Sequence, residues 1–207
     1  MASEAFDRLA RNQRYLALDF ETTGVVKGYP SLPWQLGAVT LSRGALDLGA
    51  PRFDTYLRVP ADYPFSRHAP GEHRANRGAI AVAPAFAEVW PQLHQCLASA
   101  IPVAHNTATE RNLLLRFAPM THYPYWVDTL PLARAAYPGL SSYALEALIP
   151  YLGLQARLEA LVPARAPHDA YYDAVACALL LEHLLALPAW GALTVADIAC
   201  AGEGRAK

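Results

Sequence analysis

Three short stretches of this sequence carry side chains whose types and spacing could do hydrolytic chemistry. In the first, 15–24 (YLALDFETTG), Asp19 and Glu21 stand two residues apart at the end of an apolar run. Side chains alternate along a strand, so both carboxylates leave on one face. Two anions placed together repel each other unless a cation lies between them, and a hard divalent ion such as Mg²⁺ takes oxygen ligands of this kind. Taken alone, the same residues read equally well as a solvated turn, since Asp-x-Glu is common. In the second stretch, 103–114 (VAHNTATERNLL), a strand delivers His105 and Asn106, and Glu110 falls in the first turn of the next helix. The helix dipole favours a carboxylate there with or without a metal. In the third, 166–175 (APHDAYYDAV), His168 and Asp173 are five residues apart. Inside one helix that offset separates them by about 140°. Pro167 and a helix cap at Asp169 put His168 on a loop before the helix, free to fold back, with Asp173 facing inward. A lone loop histidine is usually just solvated. The functional reading rests on the conjunction of four carboxylates and one histidine in chain order.

The hydrophobic pattern says which elements must bring these stretches together. Residues 15–20 read as a buried strand, and 35–41 and 53–59 as the next two, joined by a turn around Arg43 and Gly44. Residues 57–78 are polar and proline-containing and read as a long loop. Pro84 opens a helix near 85–98, with Phe86, Val89, Leu93 and Leu97 at helical spacing. A short strand at 101–104, a helix at 109–117 and a brief strand at 126–127 follow, and a helix starts near Asp128. Ser141 or Ser142 caps a helix to Tyr151, Asp169 caps a long helix to Leu187, and 194–200 is a short closing segment. Three strands without intervening helices, then alternation, predict an α/β fold. Its mixed five-stranded sheet has three antiparallel strands, then two parallel, flanked by helices. Residues 1–187 form the main domain, and 188–207 a short C-terminal helix and tail.

Composition narrows the function classes. At 207 residues, 54% hydrophobic and 17% charged, the chain builds one domain with a sizeable core and is not globally disordered. Its 40 alanines and 30 leucines favour helices. A net charge of −1 excludes a globally basic nucleic-acid coat. It leaves room for an enzyme that holds a short piece of strand and brings positive charge as metal ions. Cys96, Cys177 and Cys200 are odd in number and lack a CxxC spacing, which suits a reducing cytoplasm. No signal peptide is read at the start, and the longest apolar stretch, 174–181, is far short of a membrane span. His68 and His73 read as loop residues, and His94 with Cys96 makes no ligand set. Trp34, Trp90, Trp126 and Trp190 read as core or edge aromatics, Trp34 alternatively at the entry to the site.

Together, the three stretches resemble the motifs of the DEDDh family of 3′–5′ exonucleases, which includes polymerase proofreading subunits. DFETTG matches the first motif, AHNTATE the second and HDAYYD the third. QLGAV at 35–39, HRANRGAIAVAPAFAEV at 73–89 and VDTLPLARAAYP at 127–138 resemble the intervening segments. The second of these, with WGALTVADIA at 190–199, most resembles the exodeoxyribonuclease X branch. His-x4-Asp in the third motif, rather than Tyr-x3-Asp, marks the histidine type. The resemblance implies a ribonuclease H-like fold with motifs at 19–24, 104–110 and 168–173. It implies a metal-dependent 3′–5′ exonuclease on single-stranded nucleic acid, DNA favoured, releasing nucleoside 5′-monophosphates. It further implies two Mg²⁺ or Mn²⁺ ions held by Asp19, Glu21, Glu110 and Asp173, with His168 as general base. Thr22, Thr23, His105, Asn106 and Arg165 would serve the substrate, and a polymerase or repair complex is the expected protein partner. Two departures stand out. The second motif carries Thr109-Glu110 where the family reads Phe-Asp, and the loop 24–33 is long and contains proline. Glu110 supports the alternative of a weakened nuclease-fold binding module. An exoribonuclease is a further alternative, because nothing in the sequence reads a 2′-OH.

Overall fold

Alternation along the central strand decides which way the first motif faces. In the computed structural model, which describes residues 8–121 and 123–199, β1 spans Arg14–Thr22. Leu16, Leu18 and Phe20 enter one apolar cluster, and Tyr15 and Ala17 enter another on the opposite face of the sheet. Asp19 and Glu21 continue the Tyr15–Ala17 face. Strand β2 (Pro33–Ser42) runs antiparallel to β1, with Asp19 opposite Gly37 and Glu21 opposite Gln35. It turns at Arg43 and Gly44, whose φ of 54° and 75° make a tight hairpin, into β3 (Ala45–Leu46). Strand β4 (Phe53–Tyr56) pairs with the other end of β2. Strands β5 (Ile101–Ala104) and β6 (Val127–Asp128) are parallel to β1 and to each other. The sheet order is β3-β2-β1-β5-β6, with β4 also beside β2. This is the expected mixed sheet, with its outer antiparallel position shared between two short strands.

Helices cover both faces. Ile80 of α1 (Arg77–Val82) packs in a smaller cluster with Trp34 and Val59, while on the Leu16 face lie α2 (Phe86–Ala98) and α3 (Ala108–Phe117), contributing Phe86, Leu93, Leu97, Leu113 and Leu114 to the core. The opposite cluster is built around α7 (Ala170–Leu185). Helices α4 (Thr129–Ala136), α5 (Leu145–Tyr151) and α6 (Gln155–Leu161) pack on it from the side away from the sheet. Covered in this way, α7 is apolar almost all round. Its first turn sits directly on β2: a side chain at Gly37 would lie 2.0 Å from the carbonyl oxygen of Ala170. That close approach brings the start of α7, and Asp173 with it, over the carboxylates of β1.

Several expected boundaries shift. Residues 57–78 are not all loop, since α1 begins at Arg77, and α6 was not expected at all. Both helices are too short, at six and seven residues, to show a 3.6-residue period. Neither Ser141 nor Ser142 caps α5, which starts later, behind Ala144. The Ser142 hydroxyl instead accepts from the Ala144 N–H in the preceding turn. The closing segment forms α8 (Val195–Ala199), and Cys200 lies outside the described residues. Ile198 is buried in the α7 cluster, and Ala10 and Arg8 bond the backbone of Leu193 and Val195, tying the two ends of the described chain together.

Candidate active site

Four carboxylates from three elements meet over the C-terminal end of β1. Asp19 and Glu21 come from the strand, Glu110 from the first turn of α3 and Asp173 from the first turn of α7. Asp19, His105, Asn106, Glu146, His168 and Asp173 line a cleft of about 360 Å³. Glu21 and Glu110 lie deeper, at 6% and 3% exposure. Burial pushes every one of these acids toward its protonated form, and repulsion within the set adds to it at Asp19 and Glu21. Asp19 is raised well above the usual range, first by desolvation and then by the charges of Glu110, Asp173 and Glu21. Desolvation, with Asp173 next, raises Glu21 to about 8. Glu110 rises to about 7 and Asp173 to about 6, both chiefly through burial. Ligand atoms of Glu21, His168 and Asp173 lie within 4.8 Å of one another. Such a set resists ionisation at neutral pH unless positive charge is supplied. Its oxygen-rich chemistry fits a hard divalent cation, so the residues present suit the ions the motifs imply.

The second motif is held in shape by a residue the motif reading passed over. Asn106 adopts φ 68°, which turns the chain from β5 into α3. Asp128 at the end of β6 secures that turn. Its carboxylate accepts from the backbone N–H groups of Asn106 (2.9 Å), Thr107 (3.0 Å) and Leu130 (2.9 Å) and from the Thr107 hydroxyl. With so many donors satisfied, Asp128 caps α4 and braces the motif instead of facing the cleft. The backbone groups of Glu110 itself and of Phe20 bear on the Glu110 carboxylate and oppose the rise that burial imposes. His105 bridges Thr129 Oγ1 (2.9 Å) and the carbonyl of Tyr143 (2.8 Å). The carbonyl can only accept, so Nε2 carries the proton and Nδ1 takes the threonine hydroxyl. Burial lowers the His105 pKa, in keeping with a neutral ring that fixes the floor of the cleft.

The third motif depends on the cap of α7. Asp169 accepts from the N–H groups of Tyr171 and Tyr172 and from Gln35 Nε2 at 2.9 Å. Burial works against its ionisation, but Gln35, Arg165 and Tyr172 outweigh that and hold its carboxyl below the usual range. Arg165 forks between Asp169 (2.8 Å) and Asp54 of β4 (2.7 Å). His168 precedes the cap with φ 68°, and its carbonyl packs on Gly71, where a side chain would come within 2.6 Å. The loop thereby leaves the exposed His168 ring beside Asp173 and Glu21.

The structure thus brings Asp19, Glu21, Glu110, Asp173 and His168 together, with His105 and Asn106 at the cleft wall. Two residues expected at the substrate make bonds within the protein. Thr23 is 1% exposed, and its hydroxyl accepts the Leu32 N–H, so it holds the 24–33 loop. Arg165 spends its fork on two carboxylates and stands as a clamp on the His168 loop. The Thr22 hydroxyl accepts from Gly24 N–H at 3.3 Å, and its carbonyl accepts from Trp34 Nε1. Gln35 and Asp54 were missed. Gln35 had a signal: it shares the face of Gly37 and stands opposite Glu21. Asp128, read from the sequence only as the start of a helix, is its cap.

A family model described as exonuclease, of the RNase T type, matches residues 16–181. The chain belongs to this exonuclease family. The DEDDh reading of its motifs holds within it. A DNA polymerase III subunit epsilon-like protein of Rhodobacter capsulatus is 29% identical over 198 residues, 94% of this chain and 26% of that protein. The chain therefore spans about a quarter of the length of that relative. Among solved structures, exonuclease X in complex with 5′ overhanging duplex DNA superposes with TM-score 0.67. That match has 24% identity and covers 91% of this chain and 99% of that one. The nuclease domain of 3′hExo, a DEDDh family member bound to rAMP, gives TM-score 0.64 at 15% identity, covering 86% and 94%. At these identities the likeness is one of fold. This exonuclease has the ribonuclease H-like architecture that its motifs implied.

Proposed function

We propose that this exonuclease is metal-dependent and removes nucleotides from the 3′ end of single-stranded DNA, releasing nucleoside 5′-monophosphates. The observation that carries the reading is the convergence of Asp19, Glu21, Glu110 and Asp173, each with its carboxyl raised, beside an exposed histidine. Asp19, Glu21 and Asp173 would hold two Mg²⁺ or Mn²⁺ ions, with Glu110 completing the charge. When bound, the ions supply the positive charge that the attacking water, the phosphoryl oxygens and the leaving 3′ oxygen all need. His168, exposed on its loop, takes the proton from the attacking water, the general-base role for which an imidazole is the commonest side chain. Asp169, Arg165 and Asp54 fix the loop from which it does so. Asn106 and the Thr22 backbone border the terminal nucleotide, and His105 keeps the floor rigid. A polymerase or repair complex is the partner class we favour, given the epsilon-like relative. We assign the enzyme to the cytoplasm on its odd, unspaced cysteines. Among the described residues no helix is long and apolar enough to cross a membrane.

The test is digestion of end-labelled single-stranded DNA, duplex DNA and RNA side by side, in Mg²⁺, in Mn²⁺ and with EDTA. The reading expects stepwise 3′ shortening to mononucleotides, fastest on single-stranded DNA and stopped by EDTA. Absence of mononucleotide release in both metals overturns it, and faster digestion of RNA turns it into an exoribonuclease.

A further inference from the structure

The loop at 57–78 carries four arginines against only Asp62 and Glu72, in a chain whose net charge is −1. Three of those arginines, Arg67, Arg74 and Arg77, line a concavity of about 490 Å³ together with Tyr63, Phe65 and His73. The fourth, Arg58, is paired with Glu88, and elsewhere Arg157 and Arg165 are paired with carboxylates. Among the described residues no carboxylate pairs with these three. Arg77 Nη2 donates to the carbonyls of Ala61 (2.6 Å) and Tyr63 (3.0 Å), and Arg74 Nη2 to that of Arg67. Arg67 Nε donates to His68 Nε2. Bonds to neutral acceptors hold the guanidinium forks in place without cancelling their charge. Beneath the concavity, Phe65 stacks on His73 at 4.6 Å, and the Arg77 guanidinium lies 4.2 Å over the same ring. Arg77 Nη1 and His73 Nδ1 are buried with no hydrogen-bond partner. Buried polar atoms without a partner are few in native structures, and each calls for an explanation.

The concavity is joined to the cleft through the backbone. Ser66 N–H donates to the Thr23 carbonyl at 2.8 Å, one residue from Arg67, and Gly71 packs on His168. On its rim the 24–33 loop is tied down by the Tyr63 hydroxyl, which donates to the Pro30 carbonyl at 2.6 Å. Tyr29 meets Tyr63 edge-on at 5.4 Å and leaves 51% of its surface exposed.

We propose that Arg67, Arg74 and Arg77, flanked by Tyr29, Tyr63 and Phe65, form a second substrate subsite that holds backbone phosphates of the strand whose 3′ end lies at Asp19. Guanidinium forks match phosphate oxygens in pairs, and exposed aromatic faces stack bases without regard to sequence. The subsite rests on the exonuclease reading for its substrate. It assigns to the unusual 24–33 loop a role in gripping the strand.

The experiment uses the full chain and the double variant Arg67→Ala/Arg74→Ala, both exposed positions. Two substrates are compared: a 20-residue oligothymidylate, and the p-nitrophenyl ester of thymidine 5′-monophosphate, too small to reach the loop. The expected result is a KM for the oligonucleotide raised about tenfold or more, with hydrolysis of the ester within twofold of wild type. In parallel, binding of the labelled oligonucleotide in Ca²⁺ should lose about 1.4 from its log–log salt slope, roughly 0.7 for each phosphate contact removed on a single strand. Unchanged KM and unchanged salt slope in the variant overturn the subsite while leaving the exonuclease reading untouched. If wild type hydrolyses neither substrate, the exonuclease reading is what fails, and the binding arm alone then decides for or against the subsite.

Discussion

The backbone N–H of His168 donates a 2.8 Å hydrogen bond to Oδ2 of Asp173. The residue assigned as base and the residue assigned as ligand are therefore one mechanical unit, although five positions apart. The bond exists because His168 sits at φ 68° ahead of the Asp169 cap and folds back on the helix. Replacing the imidazole leaves that backbone bond in place. His168→Ala should keep Mn²⁺ binding and lower kcat by about 10²–10⁴, the usual share of a general base. The deficit should narrow as pH rises and hydroxide takes over. Calorimetric titration with Mn²⁺ alongside a pH–kcat profile checks both halves. Loss of Mn²⁺ binding would make His168 a ligand, which its distance to Glu21 and Asp173 allows.

Asp19 stands at the centre of the repulsion, feeling Glu110, Asp173 and Glu21 at once. Asp19→Asn should abolish activity and metal binding and yet make the metal-free protein more stable at pH 8. Relief of about 1–2 kcal/mol, for charges at an effective dielectric near 20, corresponds to roughly 2–8 °C in Tm at this chain length. Thermal denaturation in EDTA is the measurement, and a lowered Tm would mean that Asp19 holds the fold together instead of straining it.

The same carboxyls set a pH dependence whose sign is opposite to that of ordinary ion-paired acids. Each is raised in the folded state, Asp173 to about 6, Glu110 to about 7 and Glu21 to about 8, so the native protein binds these protons more tightly than the unfolded chain. The stability they confer is complete below the ordinary carboxylate range and is lost as pH climbs through 6 to 8. Metal-free protein should therefore melt at progressively lower temperature from pH 5 to pH 9. Saturating Mg²⁺ or Mn²⁺ should flatten or invert that slope, because the ions favour the ionised carboxylates. An EDTA-treated protein whose Tm rises across this window contradicts the arrangement.

What was legible in advance follows from periodicity and what was hidden follows from tertiary bonding. Period-two alternation in YLALDFET placed Asp19 and Glu21 on one face, and the Asp169 cap placed His168 outside the helix, both from local rules. Glu110 needed only a helix start. Short elements were beyond those rules: α6 and the split third strand have too few residues to show a period. The bonds that Thr23 and Arg165 make within the protein were hidden too: Leu32 lies across the 24–33 loop from Thr23, and Asp54 is 111 positions from Arg165. No spacing along the chain announces such a pair.

Asp128 tests the difference between a brace and a ligand. Its carboxylate takes three backbone N–H groups and a hydroxyl, and only 8% of the residue is exposed. Asp128→Ala strands those donors at the turn between β5 and α3 and removes the cap of α4. Stability should fall by about 2–4 kcal/mol, the sum of a lost cap and buried unsatisfied donors. Metal affinity per folded molecule should change little. Urea denaturation and Mn²⁺ titration of the same sample separate the two effects, and an Asp128→Ala protein of wild-type stability that fails to bind Mn²⁺ would move Asp128 into the metal set.

Glu110 decides whether the longer carboxylate of the second motif leaves a working enzyme. Its side chain is buried at 3% exposure, and its ionisation is favoured by the backbone of Phe20, one residue from Asp19. A group so placed adds charge to the site without swinging free, and the N-terminus of α3 favours its ionised form once a cation is bound. Wild type should therefore be active. Glu110→Gln keeps the shape, loses the charge and should be strongly impaired in both Mg²⁺ and Mn²⁺. Glu110→Asp retracts the carboxylate by one methylene and should remain within about tenfold of wild type, or about 1.4 kcal/mol in the barrier. Steady-state rates on single-stranded DNA in each metal discriminate the outcomes. Inert wild type with active Glu110→Asp identifies a decayed nuclease that persists as a binding module. A Glu110→Gln protein as fast as wild type removes Glu110 from the catalytic set and leaves Asp19, Glu21 and Asp173 to hold the ions alone.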